Sequence, residues 1–112
     1  MERSPNTMHV SDRHRFMEML KNAQSEEEKR ALFFAHNYAI AIQMKRAQGC
    51  SFEHSARSSF NSLMGDLKGE ERISFLMFEK VINILREIWE LGDKLVEWFA
   101  DYREMIKPFF SA

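Results

Sequence analysis

Across residues 70–106 the chain has no proline and one glycine, Gly92, and apolar side chains recur at every third or fourth position. That spacing is helical, and nothing else in the sequence restricts the fold so strongly. Pro108 then forbids continuation. Read as one unbroken helix, ~35 residues rising ~1.5 Å each give a rod of ~50 Å, against a width of ~30 Å for a folded chain of this size. Two apolar stripes run along the rod. One includes Val81, Ile88, Leu95 and Trp98; the other, rotated to one side, holds Phe75, Phe78, Ile82, Leu85, Trp89 and Phe99. Together they cover about half the circumference, whereas a helix facing a single core needs an arc of ~100°. The excess implies an interface. We expect the first stripe to form the seam of a homodimer and the second to bind a partner protein; exchanging the two assignments would leave the function unchanged.

The remainder of the chain also reads as helix. Residues 1–10 lack periodicity and are expected to form a flexible arm. Ser11 could cap a short helix over 11–22 containing Phe16, Met17 and Leu20. Ser25 followed by Glu26, Glu27 and Glu28 has the form of a capping box, in which the hydroxyl accepts a free amide and Glu28 reaches back. Three carboxylates also suit the positive end of the helix dipole. The helix so begun is expected over 26–48 and stops at Gly49, a residue suited to left-handed backbone. Along it Ala31, Ala35 and Ala39 repeat at four, a low ridge on which a second backbone can pack closely. Ser51 opens a third helix over 52–64 with Gly65 as its stop, and the last helix follows over 70–106. The expected fold is therefore all-α, a single domain over 11–112 forming a small bundle of three to four helices with one long C-terminal helix, dimeric in solution.

The chemistry-bearing residues are few. Cys50 is the only cysteine, so an internal disulfide is excluded and no Cys-x-x-Cys zinc site exists. Cys50 and His54, with His36 from the preceding helix, are too few and too scattered for a metal site. The same pair as nucleophile and base would lack an oxyanion hole and a third group. Gly65 and Gly69 lack the lysine of a phosphate-binding loop. The helices flanking Gly49 could be taken for a helix-turn-helix, but a net charge of −1, with Lys45, Arg46 and Arg57 the only nearby bases, offers little to a nucleic-acid backbone. No apolar run of ~20 residues spans a membrane, and the polar start does not resemble a secretory signal. We expect a cytoplasmic, non-enzymatic protein without cofactor, metal, nucleic-acid or membrane binding, whose work is protein recognition. A secretion chaperone or helical assembly scaffold would use the same apolar surface and is the alternative.

Two segments carry a likeness to a known family: Ala31-Leu32-Phe33-Phe34-Ala35-His36-Asn37-Tyr38 and Ile84-Leu85-Arg86-Glu87-Ile88-Trp89-Glu90-Leu91-Gly92. With the overall sequence they resemble the small quorum-sensing antiactivators of the LasR-specific type. The resemblance implies a small helical protein that binds a LuxR-type transcription factor, blocks its dimerisation and so releases it from DNA, with no catalysis. A dimeric activator reads paired half-sites, so occupying its dimer face removes the second half-site contact and most of the affinity.

Overall fold

The computed structural model describes residues 10–67, 71–89 and 91–110. The arm expected over residues 1–10 lies outside them except for Val10. The described residues form five α-helices: α1 (Val10–Lys21), α2 (Glu26–Ala47), α3 (Phe52–Asp66), α4 (Phe75–Leu85) and α5 (Gly92–Ile106), followed by a single 3-10 turn, Lys107–Phe109. The all-helical character read from the sequence is what the structure has. Two local expectations differ. Ser11 lies inside α1 rather than capping it, and α3 runs through Gly65 to Asp66 instead of stopping there.

Helix α2 begins at Ser25, whose Oγ accepts the Glu28 amide at 3.0 Å. The reciprocal half of the capping box is replaced by longer-range bonds. Glu28, itself buried, accepts from Lys80 Nζ of α4 at 2.9 Å. Glu27 accepts the backbone amide of Ser74, just before α4, at 2.8 Å. The first turn of α2 thus ties down α4 at its start and at its middle. Glu28→Ala is expected to cost about 1–2 kcal/mol in a denaturant titration, the range for a charge-assisted bond with one half-exposed partner. At its other end α2 closes on Gly49, whose φ of 96° is the one positive value among the described residues. A side chain there would be strained.

The alanine ridge is a packing seam. Ala31, Ala35 and Ala39 are buried, as are Ser55, Ala56 and Ser59 of α3, and small residues on both helices allow α2 and α3 to approach closely. Tyr38 Oη donates to the carbonyl oxygen of Ala56 at 2.8 Å, which satisfies the hydroxyl in the core, and burial raises the phenol well above its ordinary pKa. Beyond it lies an aromatic centre in which the Phe78 ring meets Phe34 at 5.5 Å, Phe99 at 5.3 Å and Phe110 at 5.0 Å.

The long C-terminal helix is the main correction. The helical run starts at Phe75 rather than at 70, breaks after Leu85 and resumes at Gly92, and α5 packs back against α4. Phe75 and Phe99 stack with centroids 5.2 Å apart. In an unbroken helix the same 24-residue separation would place them ~36 Å apart. The turn is closed by the Ile88 amide on the Leu85 carbonyl at 3.0 Å, the Gly92 amide on the Trp89 carbonyl at 3.0 Å, and an Arg86–Asp93 ion pair at 3.3 Å. It depends on Gly92: a Cβ at that position would lie 2.3 Å from the Arg86 carbonyl oxygen. Folded in this way, the wide apolar arc becomes two ordinary faces buried against each other, with α4 also packed on α2 and α5 on α3. The radius of gyration is 13.5 Å, the ~13 Å expected of a lone folded chain of this length.

Candidate functional site

The hairpin changes the setting of every residue assigned to an interface from the sequence. Phe75, Phe78, Ile82, Leu85, Trp89 and Phe99, expected to face a partner, are buried within the chain itself. So are Val81, Ile88, Leu95 and Trp98, expected to form the dimer seam. The surplus apolar surface that motivated both assignments is consumed by folding, and both indole rings are inside. These ten side chains all belong to the core.

Among the described residues the large apolar side chains most exposed to solvent are Met17, Phe33, Met44, Leu76, Met105 and Phe109. Phe33 stands apart because it borders a cavity. On α2, residues 31, 32, 34, 35 and 38 point inward and are buried, while Phe33 is 50% exposed. Beside it an open, mainly apolar pocket of about 270 Å³ is lined by Phe33, Phe34, Leu63, Leu67 and Ile73, with Arg30, Asn37 and Glu71 supplying its polar groups. Leu63 comes from α3, Leu67 from its end, and Glu71 and Ile73 from the segment leading into α4. The pocket therefore exists only once α2, α3 and that segment are assembled. Its size suits one or two apolar side chains, and its ring of polar groups can fix their orientation. Phe33 also meets Phe16 of α1 edge-on at 5.9 Å, so its ring is held on one side and open on the other.

Phe33 lies on neither apolar stripe, yet its position in the sequence carries a signal. It lies two residues from both Ala31 and Ala35, which is ~200° around the helix from the buried ridge. A phenylalanine placed opposite a packing seam is the feature to have looked for.

The residues weighed for chemistry are not brought together. Cys50 is half-buried and His54 exposed at the start of α3, whereas His36 packs between α1 and the α4–α5 turn. Among the described residues no group of three His, Cys, Asp or Glu side chains could hold a metal. A polar cleft of about 240 Å³ lies between Ser51, Glu53, His54 and Arg57. Glu53 there accepts from Tyr102 Oη at 2.6 Å, which raises the phenol's pKa. Arg57 pairs with Glu53 at 3.7 Å and lies over the Tyr102 ring at 5.3 Å. The arginine weighed for DNA contact thus joins α3 to α5. No described helix is long and apolar enough to cross a membrane. Scans of protein-family models, of curated proteins and of solved structures found no match to this chain.

Proposed function

We propose that this chain is a non-enzymatic regulator that docks on a LuxR-type transcription factor through the face centred on Phe33, blocks its dimerisation and so its DNA binding. The observation that carries the reading is the half-exposed Phe33 at the edge of an open apolar pocket. A ring left in water at a preformed cavity has the form of an interface anchor, and aromatic anchors supply most of the energy of such contacts. The resemblance to antiactivators supports the choice of partner, because one of the two segments that carry it, residues 31–38, is the stretch of α2 that presents Phe33. Its inward residues build the core and its outward residues build the pocket, so a single segment serves fold and recognition together. Competition for a dimer face requires only affinity for one subunit.

The test is co-elution of the full chain with a LuxR-type ligand-binding domain, together with loss of operator binding by the intact receptor. Phe33→Ala is expected to weaken the complex by about thirtyfold, the scale of a ~2 kcal/mol anchor, while the melting temperature moves little because the ring is already half in water. If parent and receptor elute separately at every ratio and the receptor's DNA binding is unchanged, the reading is wrong. If they co-elute and Phe33→Ala binds as the parent does, the docking face lies elsewhere.

A further inference from the structure

Helix α1 is the most loosely attached of the five, and the way it is seated has a chemical peculiarity. Among its described side chains only Phe16 is fully in the core, with Met19 and Leu20 partly buried beside it. The Phe16 ring stacks on the His36 imidazole of α2 with centroids 4.5 Å apart and planes 23° from parallel. On another side His36 meets Trp89 of the α4–α5 turn at 5.7 Å. The imidazole, with the edge of Phe33, is therefore the surface on which Phe16 rests, and from α2 it touches two other parts of the fold, α1 and the α4–α5 turn. Its Nδ1 is buried without a hydrogen-bond partner, and so is the neighbouring Trp89 Nε1.

We propose that His36 is an acid-sensitive latch for α1: neutral, it seats Phe16 and holds the helix on the bundle; protonated, it needs water, and α1 comes away. A neutral imidazole can leave one nitrogen as an unprotonated lone pair at modest cost. An imidazolium donates from both nitrogens, and at Nδ1 it finds no acceptor. Stacking a cation on Phe16 returns less than a buried, unpaired and charged donor costs, so the desolvation cost wins. Burial accordingly lowers the pKa of His36.

Among the described residues few other charges bear on the ring. From α1, Arg15 neighbours Phe16, and its guanidinium pairs at 3.8 Å with Glu87 of the turn; both side chains are largely in water. His14 is exposed on α1, and Arg86 of the turn pairs with Asp93. The residues one turn either side of His36 on α2, Leu32, Phe33, Ala39 and Ile40, do not titrate. Among the described residues the Arg15–Glu87 pair is the polar tie between α1 and the turn, and an exposed pair of that length holds little.

The sign follows from proton counting. With α1 docked the pKa of His36 lies below its ordinary 6.5, and with α1 released it returns there, so the released state binds more protons. Docking is at full strength above about pH 6.5, weakens as the pH falls below that, and levels off beneath the docked pKa. This latch involves α1 and the turn, and it stands whether or not Phe33 docks a receptor.

The experiment is amide exchange with NMR of the full chain between pH 8 and 5, corrected for intrinsic exchange, while the His36 ring is titrated by its own chemical shift. Amides of α1 are expected to open roughly three- to tenfold more at pH 5.5 than at 7.5, with a midpoint matching that of His36, while α2 to α5 keep their protection. His36→Phe, which keeps the stack without a charge, is expected to remain docked throughout, and His14→Gln and His54→Gln to retain the transition. Unchanged α1 protection across the titration overturns the proposal, as does opening midpoints more than about one unit from that of His36 or simultaneous loss across the whole bundle. The wild-type comparison decides even if His36→Phe folds poorly.

Discussion

Phe78→Ala is expected to remove about 3–5 kcal/mol of stability, the range for truncating a fully buried phenylalanine. The side chain has no exposed surface and sits where α2, α3, α4, α5 and the C-terminal turn meet: its ring faces Phe34, Tyr38, Phe60, Phe99 and Phe110, all within 6.5 Å. Alanine would leave a cavity bordered by five aromatic rings, each already locked by its other neighbours and unable to collapse inward. A domain of this size typically has a total stability of about 5–15 kcal/mol, so a sizeable fraction of the variant would be unfolded under mild denaturant. Guanidinium titration followed by far-ultraviolet circular dichroism measures the loss. The same substitution separates the two roles assigned to this residue. As a partner anchor on an exposed stripe it would leave the midpoint unchanged and abolish binding; as the centre of the core it shifts the midpoint first. A loss below about 1 kcal/mol would mean that the aromatic centre is not packed as described.

What the sequence made legible was local. Ser25, Ser51 and Gly49 act within three or four residues of themselves, so their meaning can be read without a fold, and α2 and the start of α3 lie where these residues place them. The alanine ridge is also local, because a four-residue repeat fixes a face whatever packs on it. The carboxylates of α2 show the limit. Their charge suits the helix terminus, but Glu28 and Glu27 find Lys80 and the Ser74 amide 52 and 47 residues away, and no spacing rule reaches that far. The apolar arc of the C-terminal region shows it more sharply. Half a circumference of apolar residues is equally the pattern of one helix awaiting a partner and of two helices awaiting each other. Helical periodicity cannot tell them apart, because both halves keep it. Only Gly92 distinguishes them, and its purpose is spatial: it makes room for a backbone carbonyl that approaches only when the chain has already turned. For the same reason the candidate site was missed while the core was mistaken for it. Exposure is decided by the hairpin: once α5 covers α4 both stripes are inside, and the exposed ring that borders a pocket is Phe33 on the back of α2.

Gly92→Ala is therefore expected to be the most informative single change in the chain. In an ordinary helix this substitution stabilises by up to about 1 kcal/mol, since alanine has less backbone freedom to lose. Here Gly92 is the first residue of α5, its φ is not positive, and the obstacle is purely steric. The new Cβ would lie 2.3 Å from the Arg86 carbonyl oxygen, 2.6 Å from its Cα and 2.8 Å from its carbonyl carbon. All three are backbone atoms of the turn, so no side-chain rotation relieves the clash; either the turn widens or it opens. Widening it pulls Phe75 away from Phe99 and Trp89 away from His36. We expect a loss of about 3 kcal/mol or more, in the upper range for overpacking, seen as a melting temperature lower by ~12–20 °C. Opening it lets residues 75–106 run on as the single rod that their periodicity permits, with the exposed aromatic face covered by the matching face of a second copy, an exchange of the domain-swapped kind. That species would elute larger than the parent at equal concentration while keeping its helical ellipticity. A Gly92→Ala variant with the parent's melting temperature and elution volume would show that the turn tolerates a side chain, and the hairpin would then have to be held by Phe75–Phe99 stacking and the Arg86–Asp93 pair without a steric requirement for glycine.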